Sequence, residues 1–150
     1  MGFIEAIQTC FSKYGTFQGR ALRSEFWYFY LFYLLALLFI WLLGIAFIAA
    51  NSSAGIGVFV VIYMVFVFGT LVPFWAVTAR RLHDTNRSGW WQALPYILSL
   101  FSIIPALGIV FSVLSIVAAI VVIVWLIMAG EKKDNRFGKN IYKKIRKKKR

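Results

Sequence analysis

Residues 80–91, RRLHDTNRSGWW, interrupt more than a hundred otherwise apolar residues. Every Asp, Glu, Lys, Arg and His between Phe26 and Gly130 falls inside this stretch: Arg80, Arg81, His83, Asp84 and Arg87. Trp90 and Trp91 close it. A soluble core has no use for a charged cluster between two long hydrophobic blocks. A membrane protein does, because short basic loops set orientation and Trp prefers the headgroup layer. The composition agrees. Hydrophobic side chains make up 61% of 150 residues, charged ones 15%, and the mean hydropathy is +0.78, outside the soluble range. The sequence therefore predicts an all-α integral membrane helical bundle. At this length it predicts a single membrane domain, residues 1–150.

Outward from the polar stretch, charge-free segments mark the spans. Span 1 covers 26–50, about 37 Å at roughly 1.5 Å per residue, enough for a core of roughly 30 Å. Asn51, Ser52 and Ser53 read as an uncharged turn, and span 2 covers 54–79 with Pro73 expected to kink it. Ser88 to Gly130 holds no charge over 43 residues, too long for one crossing. A break at SIIPALG, with Pro105 opening a new helix, divides it into spans over 88–103 and 105–128. The first of these is short, and a re-entrant or tilted half-helix is the alternative. Lys and Arg lie before span 1, in the 80–91 stretch and in the tail, while the Asn51 and Pro105 turns have none. Four crossings put all three basic segments, and both termini, in the cytoplasm.

Residues 1–25 form an interfacial segment. Phe3, Ile4, Ile7, Phe11 and Tyr14 recur at helical spacing, so a short amphipathic helix is expected, lying on the membrane or against the spans. Gly15 is its expected C-cap, and Ser24 is the expected N-cap of span 1. No unbroken apolar run or cleavage site suggests a signal peptide here, and Ala6 stands where a myristoylation motif needs Ser or Thr. The lone Cys10 excludes an internal disulfide.

The basic tail, 131–150, carries 11 of the 17 Lys and Arg of a chain with net charge +12. Tethered beside a membrane, it points to anionic headgroups rather than nucleic acid, with Ile141, Tyr142 and Ile145 interleaved among its bases. It reads equally as a topology anchor.

Three motifs, GRALRSEFWYF (19–29), RRLHDTNRSGWW (80–91) and DNRFGKN (134–140), resemble those of the YhaH-like bacterial inner-membrane proteins, a family defined as a domain of unknown function. The resemblance implies a small helical protein of the bacterial inner membrane and supplies no reaction. Relatives often follow the last motif with an acidic residue and proline. Here Lys139, Asn140 and Ile141 stand there, followed by a basic extension.

For chemistry the chain offers little. His83 and Asp84 alone do not make a metal site, Ser88 lacks a nucleophile elbow, and neither GxGxxG nor GxxxxGK is present. No cofactor is expected. The candidate cluster is Arg20, Arg23, Glu25, Arg80, Arg81, His83, Asp84, Arg87, Trp90, Trp91 and Arg136, either a structural network or a site for an anion or lipid headgroup. Glu25 is expected to pair with an arginine of 80–87, and Asp84 with Arg20 or Arg23. The reading is a scaffold or binding protein that engages anionic lipid, a second copy or another membrane protein. The alternatives are an oligomeric transporter or channel subunit, and a lipid-headgroup enzyme using His83 and Asp84.

Overall fold

The computed structural model describes residues 1–142; the polybasic end from 143 onward, with Ile145, lies outside the described residues. Its elements are α1 (Phe3–Ser12), α2 (Arg23–Ala49), α3 (Ser53–Asp84), a 3-10 turn (Gly89–Ala93), α4 (Leu94–Phe101) and α5 (Gly108–Ile127). Apart from an isolated bridge between Asn135 and Gly138, regular structure among the described residues is helical. In lipid this is required, since only helices or closed barrels satisfy every backbone group internally. Among the described residues three helices, α2, α3 and α5, are long and apolar enough to cross a membrane.

Burial is inverted relative to a soluble protein. Large apolar side chains on the long helices are exposed, as at Phe39, Phe68 and Ile109, whereas Arg81 and Asp84 are 0% exposed. Hydrocarbon solvates the first set, and the second must find partners inside.

The contacts of the chain cluster in two units. One holds Met1–Gly15 with Ser24–Ala76, the other Thr16–Arg23 with the chain from Val77 onward. In the first unit, α2 and α3 form a hairpin through a three-residue turn. Asn51 takes φ 49°, and its N–H bonds the Ile48 carbonyl at 3.0 Å while Ser52 N–H bonds that of Phe47 at 3.1 Å. This is the left-handed C-cap that asparagine tolerates better than other non-glycine residues. Phe59 packs where a side chain on Gly44 would stand, and Phe47 where one on Gly55 would, so small residues let the helices close up beside the turn.

The helix α1 lies against α2, with Phe3 edge-on to Tyr28 at 6.1 Å and Phe11 edge-on to Phe29 at 5.7 Å. It ends at Ser12 with Lys13 as cap, two residues short of the expected Gly15. Tyr14 follows, and its hydroxyl donates to the Gly69 carbonyl at 2.9 Å. That carbonyl lies four residues before Pro73, which has no N–H to return. The tyrosine therefore serves the acceptor that the proline leaves over. Tyr14→Phe is expected to cost about 0.5–1.5 kcal/mol. In a Pro73→Ala background, where the helix supplies its own donor, the cost should fall to near zero. Equal costs in both backgrounds, measured by unfolding in detergent, would rule this account out.

The second unit departs from the sequence expectation in three ways. The stretch 80–91 is not a loop from its start, because α3 runs through Asp84. Arg80, Arg81, His83 and Asp84 are its last turn, since no residue that breaks a helix precedes Asn86. Asn86 ends it at φ 60° with the same pair of bonds as Asn51, to His83 and Leu82. Residues 88–103 are also not one helix. Ser88 caps the 3-10 turn by accepting from Trp90 N–H, and Pro95 sits in the first turn of α4, where its missing donor costs nothing. Pro105 lies in the turn between α4 and α5 rather than opening α5, which begins at Gly108. The segment from the 3-10 turn to α4 packs along α5 in the opposite direction. Trp91 meets Trp125 at 5.5 Å, Ser115 hydroxyl donates to the Pro95 carbonyl at 2.8 Å, and Phe101 meets Phe111 at 5.4 Å.

Candidate functional site

Helix ends create the demand that organises the second unit. The last carbonyls of α5 have no intrahelical donor and carry the negative end of the helix dipole. Arg81, in the final turn of α3, meets them: Nε donates to the Leu126 carbonyl at 3.1 Å and Nη2 to that of Met128. Its third nitrogen, Nη1, lies 2.5 Å from Asp84 Oδ2. Arg20, held in the connection before α2, approaches Asp84 from the other side. Both Nε and Nη2 lie within 2.9 Å of Oδ1. The rest of its fork donates to main-chain carbonyls, Nη1 to Lys133 at 2.7 Å and Nη2 to Glu131.

Asp84 is thus the hub of a buried cluster. Its carboxylate accepts from two arginines and, at 2.6 Å, from the Tyr142 hydroxyl. Its own carbonyl accepts from Glu131 N–H at 2.9 Å. Burying two guanidinium groups beside one carboxylate is costly unless every donor is met. Here the carbonyl dipoles at the end of α5 and along 131–133 supply the remaining acceptors.

The segment from Gly130 to Tyr142 forms a strap over this cluster. It is shaped by the bonds of DNRFGKN: Asn135 and Gly138 exchange backbone bonds, and Asn140 N–H bonds Asp134 Oδ1 at 2.8 Å. His83 fastens the strap a second time. Its ring stacks on Phe137 at 3.9 Å, nearly parallel, Nδ1 bonds the Gly19 carbonyl at 3.1 Å, and its own carbonyl accepts from Asn135 Nδ2 at 2.9 Å. Arg136 covers the other part of the stack, 4.7 Å from the Phe137 centroid, and donates to the Asn86 carbonyl.

Burial pushes the Tyr142 phenol above its ordinary range, and its bond to Asp84 adds to this. The group stays a donor well into alkaline pH. The sign follows: its contribution is full below the unfolded pKa and is lost as pH rises through the higher folded value. Tyr142→Phe is expected to cost about 1.5–3 kcal/mol, the range for a hydrogen bond to a charged group. It should also raise protease cleavage within 131–142. A variant whose melting and cleavage match the parent would remove Tyr142 from the cluster.

The other candidate residues divide between buried and exposed. Of the two expected partners for Asp84, the structure brings Arg20; Arg23 is exposed at the start of α2. Ser24, one residue further, is inside the helix rather than capping it. Glu25 is buried in the first turn of α2, in the other unit. Arg80 is buried, and its carbonyl accepts from Ala21 N–H at 3.0 Å. Arg87 lies over the Trp125 ring at 4.6 Å and donates to the Thr85 carbonyl. Trp91 packs edge-on to Trp125, whereas Trp90 is 83% exposed. His83 and Asp84 are adjacent in sequence but serve different partners. Tyr142 and Trp125 belong to the cluster without having been chosen from the sequence. Tyr142 carried only an interleaving signal within the tail, and Trp125 none inside an all-apolar helix.

These residues lie in segments shared with other proteins. The family described as "Protein of unknown function (DUF805)" is matched over residues 14–139, a range that takes in Arg20, the whole 80–91 stretch and most of the strap. The chain belongs to this family. It is similar to the inner membrane protein YhaH of Escherichia coli K12, 35% identical over 128 residues, covering 84% of this chain and 87% of that one. It is also similar to the inner membrane protein YhaI of the same organism, 33% identical over 93 residues, 57% of this chain and 65% of the other. No solved structure matches it. The family resemblance read from the three motifs is thereby shown.

Proposed function

We propose that this DUF805 protein is a non-catalytic binding or scaffold protein of the bacterial inner membrane. Its exposed cytoplasmic bases meet anionic phosphate groups, and its buried Arg20–Asp84–Arg81–Tyr142 cluster holds the surface that presents them. One observation carries this division of labour. Arg20 and Arg81 direct their forks at Asp84 and at main-chain carbonyls, so they are not the arginines offered to a ligand. Lys132, Lys133, Arg136 and Lys139 on the strap are exposed. Each basic residue near an anionic leaflet adds about 1 kcal/mol, weakened by salt.

The topology proposed with this function has four crossings and cytoplasmic termini. Arg81 ties the end of α3 to the end of α5, so both helices finish at one level. The 20 residues of α5 rise about 30 Å, and the shorter antiparallel segment beside it, Gly89–Ala93 with Leu94–Phe101, rises roughly 22 Å and is the proposed return crossing, completed by the turn before α5. With Cys10 replaced by serine, Ser53→Cys and Ala106→Cys should react with an impermeant maleimide in intact spheroplasts, and Lys139→Cys only after permeabilisation. Labelling of Lys139→Cys from outside would refute this topology.

For binding, the test is lipid retention by the intact protein. The protein in nanodiscs containing phosphatidylglycerol should retain more lipid at low salt than a Lys132→Gln/Lys133→Gln/Lys139→Gln variant. Equal retention by two folded proteins would overturn the proposed role of these bases.

A further inference from the structure

A groove of about 190 Å³ is lined by Ser88, Trp90, Trp91, Leu94 and Ile97. We infer that this groove, with Arg87 preceding its Ser88 in the chain, is a site for one anionic glycerophospholipid, phosphate toward Arg87 and acyl chain along Leu94 and Ile97. This rests on the reading that this end of the protein faces anionic headgroups, and it adds a defined, one-to-one site distinct from the strap.

Size, polarity and charge support that occupant. The volume lies below the roughly 300–1,000 Å³ of pockets for drug-sized ligands. It fits a length of acyl chain rather than a whole soluble metabolite. Polarity is graded along it. Ser88 stands four residues after Asp84, where α3 has ended, and its hydroxyl accepts from the Trp90 N–H. Leu94 and Ile97 continue into α4, which runs along the apolar α5. An amphiphile with its head beside Ser88 and its tail along α4 satisfies both ends.

The charge at the head end is positive. Arg87 is half-buried, its guanidinium 4.6 Å from the centroid of Trp125, which packs edge-on to Trp91 in the groove wall; Nη1 donates to the Thr85 carbonyl, leaving Nε and Nη2 for a phosphate. A guanidinium fixed in this way loses little entropy on taking a phosphate, and its fork matches phosphate geometry. The carboxylate closest in sequence, Asp84, is fully buried and bridged to two arginines, so it does not repel an anion here. Trp90, 83% exposed, adds an amphipathic ring of the kind that prefers the headgroup layer.

Native mass spectrometry of the detergent-solubilised full chain, titrated with phosphatidylglycerol or with phosphatidylcholine of the same acyl chains, tests this. The parent should hold one phosphatidylglycerol at least about tenfold more tightly than phosphatidylcholine, the factor expected for one charge-assisted contact. Arg87→Gln should erase that preference. Ile97→Trp keeps the arginine and fills the groove, and it should weaken both lipids. The strap variant Lys132→Gln/Lys133→Gln/Lys139→Gln should keep the single tight lipid while losing looser, salt-sensitive ones. Each variant is compared at matched melting temperature. Equal affinity for the two lipids, or affinity unchanged in both Arg87→Gln and Ile97→Trp, overturns the groove site. Loss in the strap variant alone also overturns it, while leaving the strap's role intact. Retention by the groove without any strap effect overturns the strap reading and supports the groove.

Discussion

Asp84→Ala is expected to be the most damaging single substitution in this chain, costing about 3–5 kcal/mol, the range for removing one partner of a buried ion pair. Asp84 is fully buried, and two guanidinium groups and a phenol point at its carboxylate. Without it, Arg20 and Arg81 stay tied to carbonyls but face each other's charge in a site closed to water. Asp84→Asn should be nearly as harmful. Donors approach both carboxylate oxygens, and an amide offers an acceptor at only one of them. The exposed acid Glu5, whose carboxylate bonds the Gly2 N–H within α1, provides the control, because exposed pairs contribute little. Thermal unfolding in detergent, with proteolysis of 131–142 as a second readout, distinguishes the outcomes. If Asp84→Ala melts where Glu5→Gln melts, the cluster does not hold the strap.

Gly130→Ala is the second large effect. A Cβ at this position would stand 2.5 Å from the Tyr142 hydroxyl and collide with the Asp84 carboxylate. Overpacking alone costs about 1–3 kcal/mol. Here the atoms displaced are the acceptor and the donor that close the cluster, so the loss should approach that of Asp84→Ala. Gly57 lies in α3 with nothing within 4 Å of a built Cβ. Gly57→Ala should therefore be neutral or slightly stabilising, as alanine is the better helix former. Because the two glycine substitutions add the same methyl group, unequal melting temperatures isolate the crowding at Asp84. A Gly130→Ala protein as stable as Gly57→Ala would show that the carboxylate has room to move.

Relatives named as inner membrane proteins support the location and say nothing of a ligand. The division of the arginines into buried and exposed sets changes which substitutions are informative. Replacing Arg80, Arg81 and Arg87 together would disturb the fold through Arg81 before it tested binding. Arg87 alone, or the strap lysines, avoids that confusion.

Much was already decided along the chain. Charge-free runs of membrane length, the Asn51 turn and the asymmetry of Lys and Arg are local or additive properties, so they set the helical membrane class without any knowledge of contacts. The three motifs carried the family for the same reason, and the pairing of Asp84 with Arg20 was among the two options read from them. What tertiary structure alone decided was where the charges go. The stretch 80–91 looked like a solvated loop because charge usually marks one. Its first half is instead the end of α3, buried because the free carbonyls of α5 and the strap need donors there. Tyr142, Gly130 and Trp125 acquire their parts only by proximity to residues more than thirty positions earlier in the sequence. No period or motif encodes that distance. The fate of Ser88 to Ile103 was likewise set by packing, since a short apolar segment with two prolines nearby is a helix, a half-helix or a broken one according to the neighbour it lies against, and here that neighbour is α5.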